Sequence, residues 1–187
     1  MGDSFRVSVS KDYLAFSSAH FITFRGHKCE SLHGHNYRVG VSVSGQVDAE
    51  CQFVLDFAVL KDILRPMVDA IDHKVLLPTE SPKLTVETAD ESLTVVYLGA
   101  PRYRFPAKDC ALLPVTNTTA EMLAEYFADA VRTELQRRGF VHLDALEIEV
   151  EESPGQSASY RTGIATSDDA SHTTSRPDRA SASGAGT

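Results

Sequence analysis

The sequence predicts an α+β fold built on a mostly antiparallel sheet. Two observations make the sheet: His33–Ser44 and Leu143–Glu152 alternate apolar and polar residues with the period of a half-buried strand. A third sets the class. The elements read β-β-β-α-(β insert)-α-β-β, with no regular βαβα alternation that would build a parallel sheet. At 187 residues the chain has the length of one domain and can bury a sizeable core without disulfides.

The elements follow in order. Phe5–Ser17 reads as a strand with Phe5, Val7 and Val9 on one face. Thr23–Leu32 is polar and carries Arg25, His27 and Lys28, so it reads as a loop. In His33–Ser44, Tyr37, Val39, Val41 and Val43 share a face, and Gly45 marks a turn. Cys51–Leu55 reads as a short return strand. Asp56 is placed to N-cap a helix whose apolar residues are Phe57, Leu60, Leu64, Met67, Val68 and Ile71, and Pro66 is expected to kink or interrupt it. Pro78–Leu113 holds three short β-like runs, Lys83–Glu87, Ser92–Leu98 and Arg102–Phe105, expected as a small meander added outside the main body. Thr118-Thr119-Ala120-Glu121 matches a capping box with Glu121 at its third helical position. Met122, Leu123, Tyr126, Phe127, Ala130, Val131 and Leu135 form the stripe of that helix, and Gly139 ends it. Leu143–Glu152 and a last run near Ser157–Ile164 close the sheet. The body is thus expected over 1–165, with the insert at about 78–113. Residues 166–187 lack Leu, Ile, Val, Phe, Tyr and Met and are expected to be a disordered tail.

Charge and composition exclude several classes. The net charge is −8, which argues against a general nucleic-acid binder but leaves room for a local cationic pocket. No apolar run approaches the length needed to span a bilayer, and the first residues lack the apolar core of a signal peptide. Three cysteines, an odd number, argue against a disulfide framework, so the expectation is a cytoplasmic protein without membrane attachment.

The chemistry-bearing residues gather around one strand. His33 and His35 sit at i and i+2, so both imidazoles lie on one side and can converge on a metal. His20 ends the preceding strand, where an antiparallel neighbour brings it alongside. Three His without a fourth protein ligand is the pattern of a catalytic zinc that keeps a position open; ordinary polar strand residues are the alternative. Cys29 and Glu30 precede the pair, and a thiol near a divalent metal can serve as a base, although spacing alone favours an incidental thiol. Asp72-His73 pairs a carboxylate with an imidazole for proton transfer, or is simply a helix end. Glu152 ends the Leu143 strand, where a carboxylate can accept the paired donors of an aminopyrimidine or belong to a solvated acidic edge. His27, His142 and His172 carry no such pattern.

Taken in order, Phe16-Ser17-Ser18-Ala19-His20, Cys29-Glu30-Ser31-Leu32-His33-Gly34-His35-Asn36-Tyr37, Asp72-His73-Lys74, Thr119-Ala120-Glu121 and Glu152-Ser153-Pro154 resemble the 6-pyruvoyltetrahydropterin synthase / 6-carboxytetrahydropterin synthase family. The resemblance covers about 5–165 apart from the insert. It implies the tunnelling fold, a four-stranded antiparallel sheet with two helices on one face. It also implies a homohexamer, a dimer of trimers with active sites between subunits. It assigns zinc to His20, His33 and His35, and the pterin ring of 7,8-dihydroneopterin triphosphate to Glu152, with Thr119 and Glu121 nearby. Cys29 matches the proton-moving base and Asp72 and His73 its helpers. Met122 stands where the family usually has Asn. Arg25, Lys28, Arg38 and Lys74 are the candidate cations for the triphosphate.

Spacing separates the family's reactions. Cys29 lies four residues before His33, a form that resembles the bacterial 6-carboxytetrahydropterin synthase of the queuosine pathway. Glu30-Ser31-Leu32-His33-Gly34-His35 also satisfies the pattern of a folate-pathway paralogue that uses Glu to cleave the side chain. The reading favours formation of 6-carboxy-5,6,7,8-tetrahydropterin with release of acetaldehyde and triphosphate. Cleavage to 6-hydroxymethyl-7,8-dihydropterin comes second and the pyruvoyl reaction third. A non-catalytic zinc- or pterin-binding module is the alternative of another class.

Overall fold

The computed structural model describes residues 4–140 and 142–164. The tail expected over 166–187 therefore lies outside the described residues. Its elements are β1 (Phe5–His20), β2 (His33–Gly45), α1 (Phe57–Ile71), β3 (Val75–Pro78), β4 (Leu84–Ala89), β5 (Ser92–Tyr97), β6 (Ala100–Pro106), β7 (Cys110–Leu113), α2 (Ala120–Arg137), β8 (Leu143–Ser153) and β9 (Gln156–Gly163).

The expected antiparallel core is β1-β2-β8-β9, and two short parallel strands extend it at the β1 edge into a six-stranded sheet, β7-β3-β1-β2-β8-β9. The alternation of β2 explains its place at the centre. Tyr37, Val39, Val41 and Val43 are buried, and their cross-strand partners Phe16, Val9, Val7 on β1 and Val150, Ile148, Leu146 on β8 line the same face. Both helices cover that face: Leu60, Leu64 and Val68 of α1 and Leu123, Phe127 and Val131 of α2 join one core with it. Burying a side chain such as Phe127 completely contributes on the order of 1.5–3 kcal/mol. The opposite face is polar, with Arg6, Ser8, Ser10, Ser42, Glu147 and Glu149 along a shallow groove.

Four details depart from the sequence reading. Cys51–Leu55 is not a strand: the Asp48 carboxylate accepts the N–H groups of Glu50 and Cys51, and Gln52 adopts a φ of 58°. These bonds spend the backbone groups on a turn, while Val54 and Leu55 still reach the core. α1 runs through Pro66 uninterrupted, because the residue is on the exposed face where water can take the carbonyl that loses its partner. The insert is smaller than expected. β4-β5-β6 forms its own three-stranded antiparallel sheet, whereas Pro78 and Cys110–Leu113 belong to β3 and β7 of the main sheet. Finally, the N-cap of α2 is Thr119, whose hydroxyl accepts the Met122 N–H, not Thr118. The Thr118 hydroxyl instead donates to the Phe21 carbonyl, and with Thr119 as the N-cap Glu121 is the second helical residue and closes no capping box.

Candidate active site

The core face of the sheet changes chemistry where the helices end. In the β1–β2 register Phe16 opposes Tyr37, Ser18 opposes His35 and His20 opposes His33. Opposed residues share a face, so the buried Phe16–Tyr37 stack, 4.7 Å between centroids, is continued by three imidazoles. Their centroids lie 4.6 Å (His20–His33), 5.3 Å (His20–His35) and 4.9 Å (His33–His35) apart, and one nitrogen from each lies within 4.8 Å of the others.

Hydrogen bonds set two of the tautomers. His20 Nδ1 is 2.7 Å from the Thr118 carbonyl and His33 Nδ1 is 2.9 Å from that of Ser31. A carbonyl only accepts, so each Nδ1 carries the proton and each Nε2 offers a lone pair. His20 Nε2 is buried and makes no hydrogen bond, although Glu152 Oε1 lies 3.3 Å away out of line. Burial also holds the His20 pKa below its ordinary value, which keeps the ring neutral. An orphaned buried nitrogen beside two further imidazoles is a donor set that fits a divalent metal.

Glu152 joins this cluster from β8. Its Oε1 accepts from the Tyr37 hydroxyl at 3.1 Å and lies 3.8 Å from His35 Nε2. Burial, and then the Glu152 charge, pushes the Tyr37 pKa upward, so the phenol stays protonated and donates. Glu152 borders two cavities. One, of about 750 Å³, is also lined by His35, Asn36, His73, Lys74 and Asp109. The other, of about 340 Å³, is lined by Thr119, Glu121 and Gln156. His73 reaches the larger cavity from beyond the C-terminal end of α1, with Asp72 behind it. The Asp72 carboxylate accepts the Ser17 N–H at 2.8 Å and lies 2.8 Å from His73 Nδ1; the backbone bond to Ser17 leads in lowering its pKa. His73 stands at φ 57°, held there by its N–H to the Ser17 carbonyl.

The two candidate bases face different ways. Glu30 Oε2 lies 3.8 Å from His33 Nδ1. Cys29 instead packs against the apolar cluster formed by Phe21, Leu77 and the insert's Leu84, Leu93 and Val95, and its thiol lies 3.6 Å from the Glu30 carbonyl. That partial burial pushes the thiol pKa up, with Glu30 adding and Arg102 opposing. Among the four cations proposed for the triphosphate, Lys74 lines the larger cavity, Lys28 sits over the Phe24 ring, and Arg38 lies on the opposite face near Glu151. Arg25 is exposed. Sequence reasoning missed the Tyr37 hydroxyl, because a Tyr in an apolar stripe reads as core. It also missed Asn117, which bonds the Thr23 backbone through both its amide atoms, a contact between residues 94 apart with no local signal.

Residues 8–163 match the profile of the 6-pyruvoyl tetrahydropterin synthase family. A Methanocaldococcus jannaschii protein provisionally named 6-carboxy-5,6,7,8-tetrahydropterin synthase is 38% identical over 148 residues, 79% of this chain and 90% of its own. The Aquifex aeolicus 6-carboxy-5,6,7,8-tetrahydropterin synthase is 28% identical over 135 residues, 72% of this chain and 76% of its own. The crystal structure of Plasmodium vivax 6-pyruvoyl tetrahydropterin synthase superposes with a TM-score of 0.80 at 27% identity, covering 87% of this chain and 99% of the other. Two further structures of that protein carry Ala or Cys in place of a glutamate that is a catalytic residue there. A match over nearly the whole described body, joined to a shared architecture of curled sheet and two helices, makes this chain a member of the 6-pyruvoyl tetrahydropterin synthase family with the tunnelling fold.

Proposed function

We propose that this protein is a zinc-dependent lyase that converts 7,8-dihydroneopterin triphosphate to 6-carboxy-5,6,7,8-tetrahydropterin, releasing acetaldehyde and triphosphate for the queuosine/deazapurine pathway. The observation that carries it is the convergence of His20, His33 and His35 beside Glu152, with the His20 Nε2 lone pair buried and unpartnered. The relatives named 6-carboxy-5,6,7,8-tetrahydropterin synthase support the product. Zinc held by the three imidazoles supplies Lewis-acid polarisation of the substrate's side-chain hydroxyls. The chain's own residues do the rest. Glu152, oriented by the Tyr37 hydroxyl, accepts the paired N–H donors of the aminopyrimidine, with Thr119 and Glu121 along the same cavity. Asp72 bonds Nδ1 of His73, which leaves Nε2 to exchange a proton at the larger cavity. Lys74 offers the triphosphate a cation there. Cys29 is the base for the carboxytetrahydropterin reaction. The working assembly is a homohexamer whose subunits complete one another's sites.

A second reading has its own observation. Glu30, not Cys29, has its carboxylate near His33, which favours cleavage to 6-hydroxymethyl-7,8-dihydropterin. A glutamate is named as a catalytic residue of the Plasmodium vivax neighbour, so a carboxylate in a catalytic role has a precedent in the family. Both readings meet one experiment: incubate the zinc-loaded protein with 7,8-dihydroneopterin triphosphate and identify the products by mass spectrometry. The expected result is 6-carboxytetrahydropterin, abolished by Cys29→Ala with some hydroxymethyl product left, and the reverse for Glu30→Ala. Absence of any product from the wild type overturns both readings.

A further inference from the structure

The insert sheet packs on the loop that carries both candidate bases. Leu84, Leu93 and Val95 of β4 and β5 are buried in one cluster with Phe21 and Leu77, and Cys29, Leu32, Tyr97 and Tyr103 pack against it. Two polar ties fix the loop's backbone to β6. The Tyr103 hydroxyl accepts the Leu32 N–H at 3.1 Å. Arg102 Nη2 donates to the carbonyls of Cys29 at 3.2 Å and of Glu30 at 2.9 Å. The guanidinium is itself held near two rings, 5.9 Å from the Tyr97 centroid and 5.2 Å from that of Tyr103. One guanidinium nitrogen reaching both adjacent carbonyls pins the backbone of the pair, and with it which of the two side chains meets the imidazoles. In the clamped arrangement it is Glu30, whose Oε2 lies 3.8 Å from His33 Nδ1, while Cys29 packs against the apolar cluster that the insert shares with Phe21 and Leu77.

We propose that the insert selects the base: Arg102 and Tyr103 are positioning residues that hold the loop with Glu30 toward the three-histidine cluster, and loosening them admits Cys29. The inference rests on Cys29 and Glu30 being the alternative bases proposed above. Arg102 is exposed, so water competes for its bonds and the clamp is weak enough to open. The insert thereby sets the balance between hydroxymethyl-dihydropterin and carboxytetrahydropterin from one substrate.

The test pairs a chemical readout with one that needs no chemistry. In full-length, zinc-loaded Arg102→Ala and Tyr103→Phe, hydrogen exchange is followed at the Glu30 and Leu32 amides, which bond the Ile22 carbonyl and the Tyr103 hydroxyl. Both amides are expected to exchange faster by about tenfold, a local loosening, while α2 keeps its protection. The product ratio is expected to move toward carboxytetrahydropterin by about threefold or more, the size of effect a lost hydrogen bond gives. Arg102→Lys, which keeps one cationic donor, should fall between. Unchanged exchange in both alanine and phenylalanine variants overturns the clamp. Faster exchange with both products falling in equal proportion overturns base selection and leaves a structural tie. If the wild type makes only the hydroxymethyl product, appearance of carboxytetrahydropterin in Arg102→Ala supports the inference and its absence overturns it; a wild type that makes only carboxytetrahydropterin also overturns it. A wild type that makes neither product overturns the proposed function, and the exchange data alone then decide the clamp.

Discussion

His20 shows how a single side chain is prepared for ligation. It is 2% exposed, its Nδ1 is committed to the Thr118 carbonyl, and burial disfavours its protonation. A neutral ring with its free lone pair aimed at two other imidazoles loses little on binding metal. The purified protein is therefore expected to carry about one zinc per chain by elemental analysis, and His33→Ala to lose metal and activity together. Full activity after chelation would remove the zinc mechanism. Asp72 gives a pH prediction with a definite sign. Its folded pKa is lowered by the Ser17 N–H and by His73, so the native state binds fewer protons than the unfolded chain. The stability it contributes is complete above its unfolded value, about 3.9, and is lost as pH falls through the lower folded value. Asp72→Asn should melt earlier than wild type at pH 7, and the gap should close as pH drops below about 4. A gap of constant size down to pH 3 would show that the charge contributes nothing.

At the scale of elements, α1 and the α2 entry show local signals being overruled in small ways. Pro66 lies ten residues into α1, yet the helix continues because the apolar stripe of Leu60, Ile63, Leu64, Val68 and Ile71 packs on both sides of it. The proline still removes an N–H to the Asp62 carbonyl. Pro66→Ala should stabilise the protein by about 2 kcal/mol in denaturant unfolding, the helix-interior penalty less the unfolded-state entropy proline suppresses. No gain would mean that the helix already compensates for the missing bond. In α2 the capping signal was legible but its register was not, since Thr118 and Thr119 are chemically alike and only the fold decides that Thr118 turns to the Phe21 carbonyl, 97 residues away, while Thr119 accepts the Met122 N–H. The insert illustrates the same limit: its strands were readable from alternation, but its role as a support for Cys29 and Glu30 depends on Arg102 and Tyr103 reaching across more than 70 residues.

At the scale of the molecule, the sheet is open. Among the described residues β9 pairs only with β8 and β7 only with β3, and the face away from the helices is polar. Free edges invite pairing with another chain, and no helix of the described residues is long and apolar enough to cross a membrane. Sedimentation analysis is expected to show six chains per particle, and a fully active monomer would remove the shared-site reading. The sequence by itself determined the residue types, the strand and helix periods, the antiparallel core and the likeness of the His20, His33 and His35 blocks to one family. Those are local properties: an i, i+2 pair must share a face, and a seven-residue stripe must bury one side. Tertiary structure alone decided that Cys29 packs on the apolar cluster the insert shares with Phe21 and Leu77 while Glu30 lies near His33, that Tyr37 bonds Glu152, and that Cys110–Leu113 joins the main sheet. Each of these depends on which distant backbone groups remain unsatisfied after the sheet has formed, and that accounting exists only once the chain has closed on itself.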